Sequence, residues 1–217
     1  MRTCYTAIFG QYDTLKEPTI VTPGWKYVSF TDQDFESKVW EIRKIIYTST
    51  SQIAARYYKI MFHNGIDTED SLWLDGSFTV NCDLNEFWNK NFNDKFNLTA
   101  VKHPWRDCIY EEATVCIEQH RVEAEVINKQ ISFYQEEGIK EHSGLIQSGI
   151  LLRRKSEDVK SFCEKWWYQV DQYSLRDQLS FTYCMQKWPI DHTIITDLKY
   201  FDNPYFKFTK HNLCTKS

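Results

Sequence analysis

No long run of lysine or arginine occurs in the 217 residues, and the formal net charge is −4. Nucleic-acid binders usually present a basic face, so that class of partner is disfavoured. Paired cysteines are missing as well. Cys4, Cys82, Cys108, Cys116, Cys163, Cys184 and Cys214 include no CxxC and are odd in number. That pattern argues against a zinc site or a disulfide framework and for a reducing compartment. The apolar run near Met1 is too short for a signal peptide or a membrane span. Repeats, low-complexity tracts and Gly/Ser linkers are also lacking. These absences describe one soluble, cytoplasmic domain over 1–217, which could be the amino-terminal part of a longer chain.

Against those absences stands a high aromatic content, 16% of residues with eight Trp and thirteen Tyr. Flat rings with a polar edge suit a cleft that stacks bases or sugars, and equally fill a core. The patterning alternates between strand and helix. Residues 3–9 and 26–30 read as strands, and 39–47 as strand or loop. A helix is expected from an N-cap at Ser49 to about Asn64, then a strand at 71–74 and an extended segment at 78–81. A short helix at 84–92 and a strand at 98–101 follow, then one long helix from Ile109 to Glu136. An apolar stretch at 145–152, helices from Ser156 and Arg176, and an irregular tail with short strands complete the chain. Alternation of this kind predicts an α/β fold with a mostly parallel sheet. In such sheets ligands bind at the carboxyl ends of strands, which directs attention to Gly10 to Asp13, Asp32, Asp75 to Ser77 and His103.

Trp73-Leu74-Asp75-Gly76-Ser77 is the most informative stretch. Asp75 follows an apolar strand and can offer a carboxylate to a hard divalent cation, with Ser77 two residues on; an Asp-Gly turn between strands reads the same way. Arg56 and Lys59 share a helix face, fit to neutralise a diphosphate or simply to be solvated. Arg176-Asp177-Gln178 falls in the first turn of a helix, where Asp177 either complements the dipole or faces a reacting centre. His103 to Asp107 combines a ring, a cation (Arg106) and a carboxylate after a strand. Gln147 and Ser148 interrupt an apolar run and need polar partners. His211 is a ligand candidate or a surface imidazole.

Taken in order, Tyr5-Thr6-Ala7-Ile8-Phe9-Gly10-x-Tyr12-Asp13, Ser29-Phe30-Thr31-Asp32, Ala55-Arg56-x-x-Lys59, Trp73-Leu74-Asp75-Gly76, His103-Pro104 and Arg176-Asp177-Gln178 resemble a glycosyltransferase-like family. That family includes plant TOD1/MUCI70-type proteins, bacterial polysaccharide enzymes and, nearest in pattern, the amino-terminal domain of a chlorella virus enzyme that builds capsid glycans. The resemblance implies a GT-A fold, a Rossmann-like α/β domain. It also implies a UDP-sugar donor, Mn2+ or Mg2+, and transfer of a hexose or deoxyhexose of glucose or rhamnose type to a glycan acceptor. Asp75 matches the metal-binding acidic motif, with Ser77 in place of its second Asp, and His211 would complete the metal site. Thr6, Ala7 and Phe9, with Asp32, would hold the uridine, Arg56 and Lys59 would lie near ribose or diphosphate, and Asp13 and Gly76 belong to the same donor-binding set. Asp177 matches the acidic residue near the reacting carbon. His103, Arg106, Gln147, Ser148, Arg176 and Gln178 are the sugar and acceptor candidates. A nucleotide-sugar hydrolase or pyrophosphatase, and a non-catalytic carbohydrate-binding module, are the competing expectations.

Overall fold

A computed structural model describes residues 1–210. The chain runs β1 (Arg2–Ile8), β2 (Trp25–Thr31), β3 (Glu41–Lys44), α1 (Ser51–Ile60), β4 (Asp70–Leu74), β5 (Phe78–Val80), α2 (Leu84–Asn91) and β6 (Leu98–Lys102). It continues through α3 (Ile109–Glu118), α4 (Ala124–Glu136), β7 (Ile146–Arg154), α5 (Glu157–Gln172), α6 (Asp177–Lys187), β8 (Thr193–Ile195) and β9 (Phe206–Phe208). Seven strands form one sheet in the order β3-β2-β1-β4-β7-β6-β8, while β5 and β9 pair separately. Four of the six pairings are parallel, and only β7 runs against its neighbours β4 and β6. The expected mostly parallel α/β sheet is therefore present.

The central strands are buried on both faces, and their alternation sorts residues between two cores. In β4, Trp73 packs toward the layer built from α1 and α3 to α6, whereas Leu72 and Leu74 pack toward α2, β5 and β9. Leu151 and its neighbours Ile150 and Leu152 divide in the same way in β7. From β1 the chain moves outward to β2 on one side and later returns to β4 on the other. That reversal opens a crevice at the carboxyl ends of β1 and β4.

The expected long helix over 109–136 is two helices. His120 adopts a left-handed φ of 50°, and the amide of Arg121 turns back to the Cys116 carbonyl at 2.9 Å, which closes α3. No glycine marks that stop, so the apolar periodicity ran through it. The α1 cap is Thr50 rather than Ser49, its hydroxyl accepting the Ile53 amide at 3.2 Å. The open segment at 39–47 resolves as the edge strand β3. All six described cysteines are buried and free.

Arg153 is fully buried in β7 with no carboxylate within ion-pair distance among the described residues. Its guanidinium instead donates to the carbonyls of Lys59 at 2.7 Å and Ile60 at 3.3 Å, bonds the Tyr5 hydroxyl, and lies 4.2 Å from the Phe62 ring centre. Those carbonyls end α1 and lack helical partners, so the cation caps the helix at its negative pole. Arg153→Leu is expected to lower stability by about 2–4 kcal/mol by leaving them unsatisfied. A lower urea midpoint at unchanged m-value checks this.

Candidate active site

The residue after β4, Asp75, stands at the crevice with its backbone amide on the Gly149 carbonyl at 2.9 Å. Its Oδ1 accepts the Trp73 indole N–H at 2.8 Å and the Lys59 ammonium at 3.3 Å. Oδ2 takes no hydrogen bond among the described residues and faces the approach left by Gly149. A β-carbon on Gly149 would overlap the Tyr200 hydroxyl and come 2.8 Å from Oδ2. Glycine is required there by close approach, since even a methyl group would displace both side chains.

Lys59 is 1% exposed, so the solvated helix face is ruled out for it. Its ammonium lies 2.7 Å from Asp177 Oδ2 and 3.0 Å from Ser148 Oγ, besides Asp75. Ser148 donates onward to Asp177 Oδ1 at 3.1 Å. Arg56, three residues earlier, reaches the same carboxylate at 3.6 Å and donates to the Leu175 carbonyl at 3.2 Å. Burial alone would raise the Asp177 carboxyl, but Lys59 and Arg56 outweigh it and hold it well below the usual carboxylate range. Burial and the Asp75 charge push the Tyr200 phenol well above its ordinary value, keeping it neutral.

A second polar group adjoins the first through residues 176–178. Gln178 donates to the Gln147 side chain at 2.6 Å and accepts from Arg176 at 2.8 Å. Arg176 and Arg106 converge on Glu112, at 3.4 and 2.6 Å, a buried carboxylate in the first turn of α3. Burial would raise Glu112, yet these arginines pull it below its usual value. His103 lies beside it with its ring buried, and Nδ1 accepts the amides of Arg106 at 3.1 Å and Trp105 at 3.4 Å. Its place is therefore to hold the turn that carries Arg106.

The other expected site residues are distributed along the β1 side. Asp32 binds the Gly10 amide at 3.0 Å and the Tyr47 hydroxyl at 3.1 Å, tethering the loop after β1. Asp13 pairs with Lys16 at 2.8 Å, and Lys16 donates to the Gly76 carbonyl at 2.7 Å. Thr6 is buried with an unpartnered hydroxyl, Ala7 is buried, and Phe9 is packed against Tyr47 and Tyr58. Ser77 is buried, and its carbonyl accepts the Thr209 amide at 2.9 Å. His211 lies outside the described residues. A separate trio of possible metal ligands, Asp107, Glu111 and His142, is exposed and does not include Asp75.

The TOD1/MUCI70 glycosyltransferase-like domain matches residues 30–211. The chain belongs to that family. Mouse xyloside xylosyltransferase 1, in its apo form, has a similar fold at 10% sequence identity and TM-score 0.51, with 89% of this chain and 84% of that one covered. The apo WbbM bifunctional glycosyltransferase aligns with 89% of this chain and 38% of its own at 11% identity and TM-score 0.48. A search of curated proteins finds no match. The TOD1/MUCI70 domain thus has a GT-A-like fold, and its family is glycosyltransferase-like. No helix among its described residues is long and apolar enough to cross a membrane.

Sequence reading gave Trp73, Tyr200 and Glu112 no place among the candidate site residues, although they join this cluster. Tyr200 stands in an irregular tail with no periodic signal, and Glu112 reads as an ordinary first-turn acid. His103 carries a pH dependence. Burial, helped by Arg106 and opposed by Glu112, lowers it from 6.5 to about 4. Between those values the unfolded chain binds a proton that the folded chain refuses, so stability falls as pH drops from 6.5 toward 4. The loss is expected to reach about 3 kcal/mol at most. In His103→Gln, melting temperature should be flatter over that window.

Proposed function

We propose that the domain transfers a hexose or deoxyhexose, of glucose or rhamnose type, from a UDP-sugar to a hydroxyl of a glycan acceptor, with Mn2+ or Mg2+ as cofactor. The observation that carries the reading is the joining of Asp75, Lys59, Ser148 and Asp177 in one network at the carboxyl ends of β1 and β4. Nucleotide ligands occupy that position in open α/β sheets.

The residues fit a divalent ion. Asp75 presents a hard oxygen, Oδ2, uncommitted to any protein donor, while Oδ1 is braced by an indole and an ammonium. The Thr209 amide bonds the Ser77 carbonyl, which supports Ser77, and His211 two positions on in the sequence, as the proposed further ligands. When bound, the ion offsets the charge of the departing diphosphate.

The chain's own groups divide the remaining work. Thr6, Ala7, Phe9, Asp13 and Asp32 belong to the nucleoside side, where Asp32 and the Asp13–Lys16 pair shape the loop after β1 and hold Gly76. Arg56, partly exposed, is the cation available to phosphate oxygens, whereas buried Lys59 sets the positions of the two carboxylates behind it. Asp177 is held so far toward ionisation that it is a weak base. That supports a role for it as a stationary negative charge beside the sugar's reacting carbon rather than as the acceptor hydroxyl's proton acceptor. Gln147, Gln178, Arg176 and Arg106 present donors and acceptors to sugar hydroxyls, and His103 orients Arg106.

Calorimetry with UDP and Mn2+ tests this. Asp75→Ala is expected to weaken nucleotide–metal binding at least tenfold, roughly 1.4 kcal/mol. Asp177→Asn should keep that binding and lose sugar transfer by about 10²-fold or more. Unchanged affinity in Asp75→Ala would end the metal assignment, and UMP in place of UDP as product would point to a pyrophosphatase.

A further inference from the structure

Beside the reacting centre two large rings lie open to solvent. Trp105 is 66% exposed and Phe201 39% exposed, yet they stack on each other at 5.4 Å and 17°. Neither belongs to a hydrophobic core. Their positions are nevertheless constrained from both sides. Trp105 rises from the turn that His103 holds through its Nδ1, with the His103 ring edge-on at 5.8 Å and the Arg106 guanidinium 6.0 Å from its ring centre. Phe201 is packed edge-on against Phe208 at 4.7 Å and against Tyr200 at 4.8 Å. Tyr200 is the ring whose hydroxyl crowds Gly149 next to Asp75. One buried residue therefore separates this exposed pair from the carboxylate of the proposed reaction site.

About two-thirds of the Trp105 surface meets water, and with Phe201 stacked on one face of the indole the ring stands open for a ligand to cover. A pyranose is the ligand such a surface suits. Its axial C–H groups form a flat apolar face that packs on an indole, while its rim of hydroxyls needs donors and acceptors. Those stand at the edge of the platform: Arg106, anchored by Glu112, and beyond it Arg176, Gln178 and Gln147. A nucleobase would also stack, but the loop after β1 and Asp32 lie on the other side of Asp75 along the sheet, since β1 and β7 flank β4 on opposite sides.

We propose that Trp105, backed by Phe201, is an acceptor subsite that stacks a pyranose ring of the glycan next to the sugar receiving the transfer. This rests on the glycosyl-transfer reading for the role of the bound glycan, though not for its binding. The subsite would select an acceptor of at least two sugars, because the platform is offset from Asp75 by the width of Tyr200.

The test titrates the full chain with cellotriose, xylotriose, mannotriose and trigalacturonate, following tryptophan fluorescence and ligand-observed NMR saturation transfer. UDP with Mn2+ is titrated separately. At least one trisaccharide should bind the wild type, with affinity roughly ten- to hundredfold lower in Trp105→Ala and largely restored in Trp105→Tyr. The saturation-transfer epitope should lie on ring C–H protons. Because Trp105 is mostly exposed, thermal melting of both variants should stay within a few degrees of wild type, which separates loss of binding from loss of fold. Wild-type binding of UDP but of none of the four glycans, or equal glycan affinity in Trp105→Ala, overturns the subsite alone. Glycan binding that depends on Trp105 without any UDP binding upholds the subsite and overturns the transferase reading.

Discussion

Lys59 brings a full positive charge into a region from which water is excluded, and the rest of the site is arranged around that charge. An isolated ammonium there would cost several kcal/mol, so it must be surrounded by acceptors. Asp177, Asp75 and Ser148 supply them from α6, the end of β4 and β7. Three elements far apart in sequence are thereby held in register around one nitrogen. The mutual constraint also explains the low ionisation range of Asp177, a carboxylate that burial by itself would have driven the other way.

The ammonium can serve only if its helix ends in the right place. Arg153 does this from beneath, capping the last carbonyls of α1 and using no carboxylate that would compete for Lys59. The Tyr5 hydroxyl, from β1, joins the same cap. Sheet and helix are thus locked together directly behind the crevice. Gly149 completes the arrangement by letting Tyr200 close against Asp75. The charges form two groups, a balanced one of Lys59 and Arg56 with Asp75 and Asp177, and a second of Arg106 and Arg176 around Glu112. The second group carries the excess positive charge, on the side of the exposed Trp105.

Local chemistry made several features legible before any coordinates. Apolar runs of strand length, the alternation of strands with helices, and polar residues just after strands pointed to a parallel α/β sheet and to Asp75. The tail was expected to be irregular with short strands, and β8 and β9 are those strands, each too short for its pattern to fix its bounds. The break between α3 and α4 was hidden because His120 takes a left-handed conformation without the glycine that usually signals it. Lys59 was ambiguous for a related reason. A lysine on an amphipathic helix looks the same in sequence whether its face meets water or a buried pair of carboxylates.

Residue order by itself determined the α/β class, the carboxylate after β4 and the cationic spacing of Arg56 and Lys59, since each depends on neighbours a few positions away. Only the tertiary structure decided that Lys59 is buried, that Ser148 and Asp177 meet it, and that Glu112 gathers two arginines beside them. In those contacts Lys59 and Ser148 are 89 positions apart, and Arg176 and Glu112 are 64 apart. Their energies come from desolvation and charge pairing that exist only once the chain has closed around them.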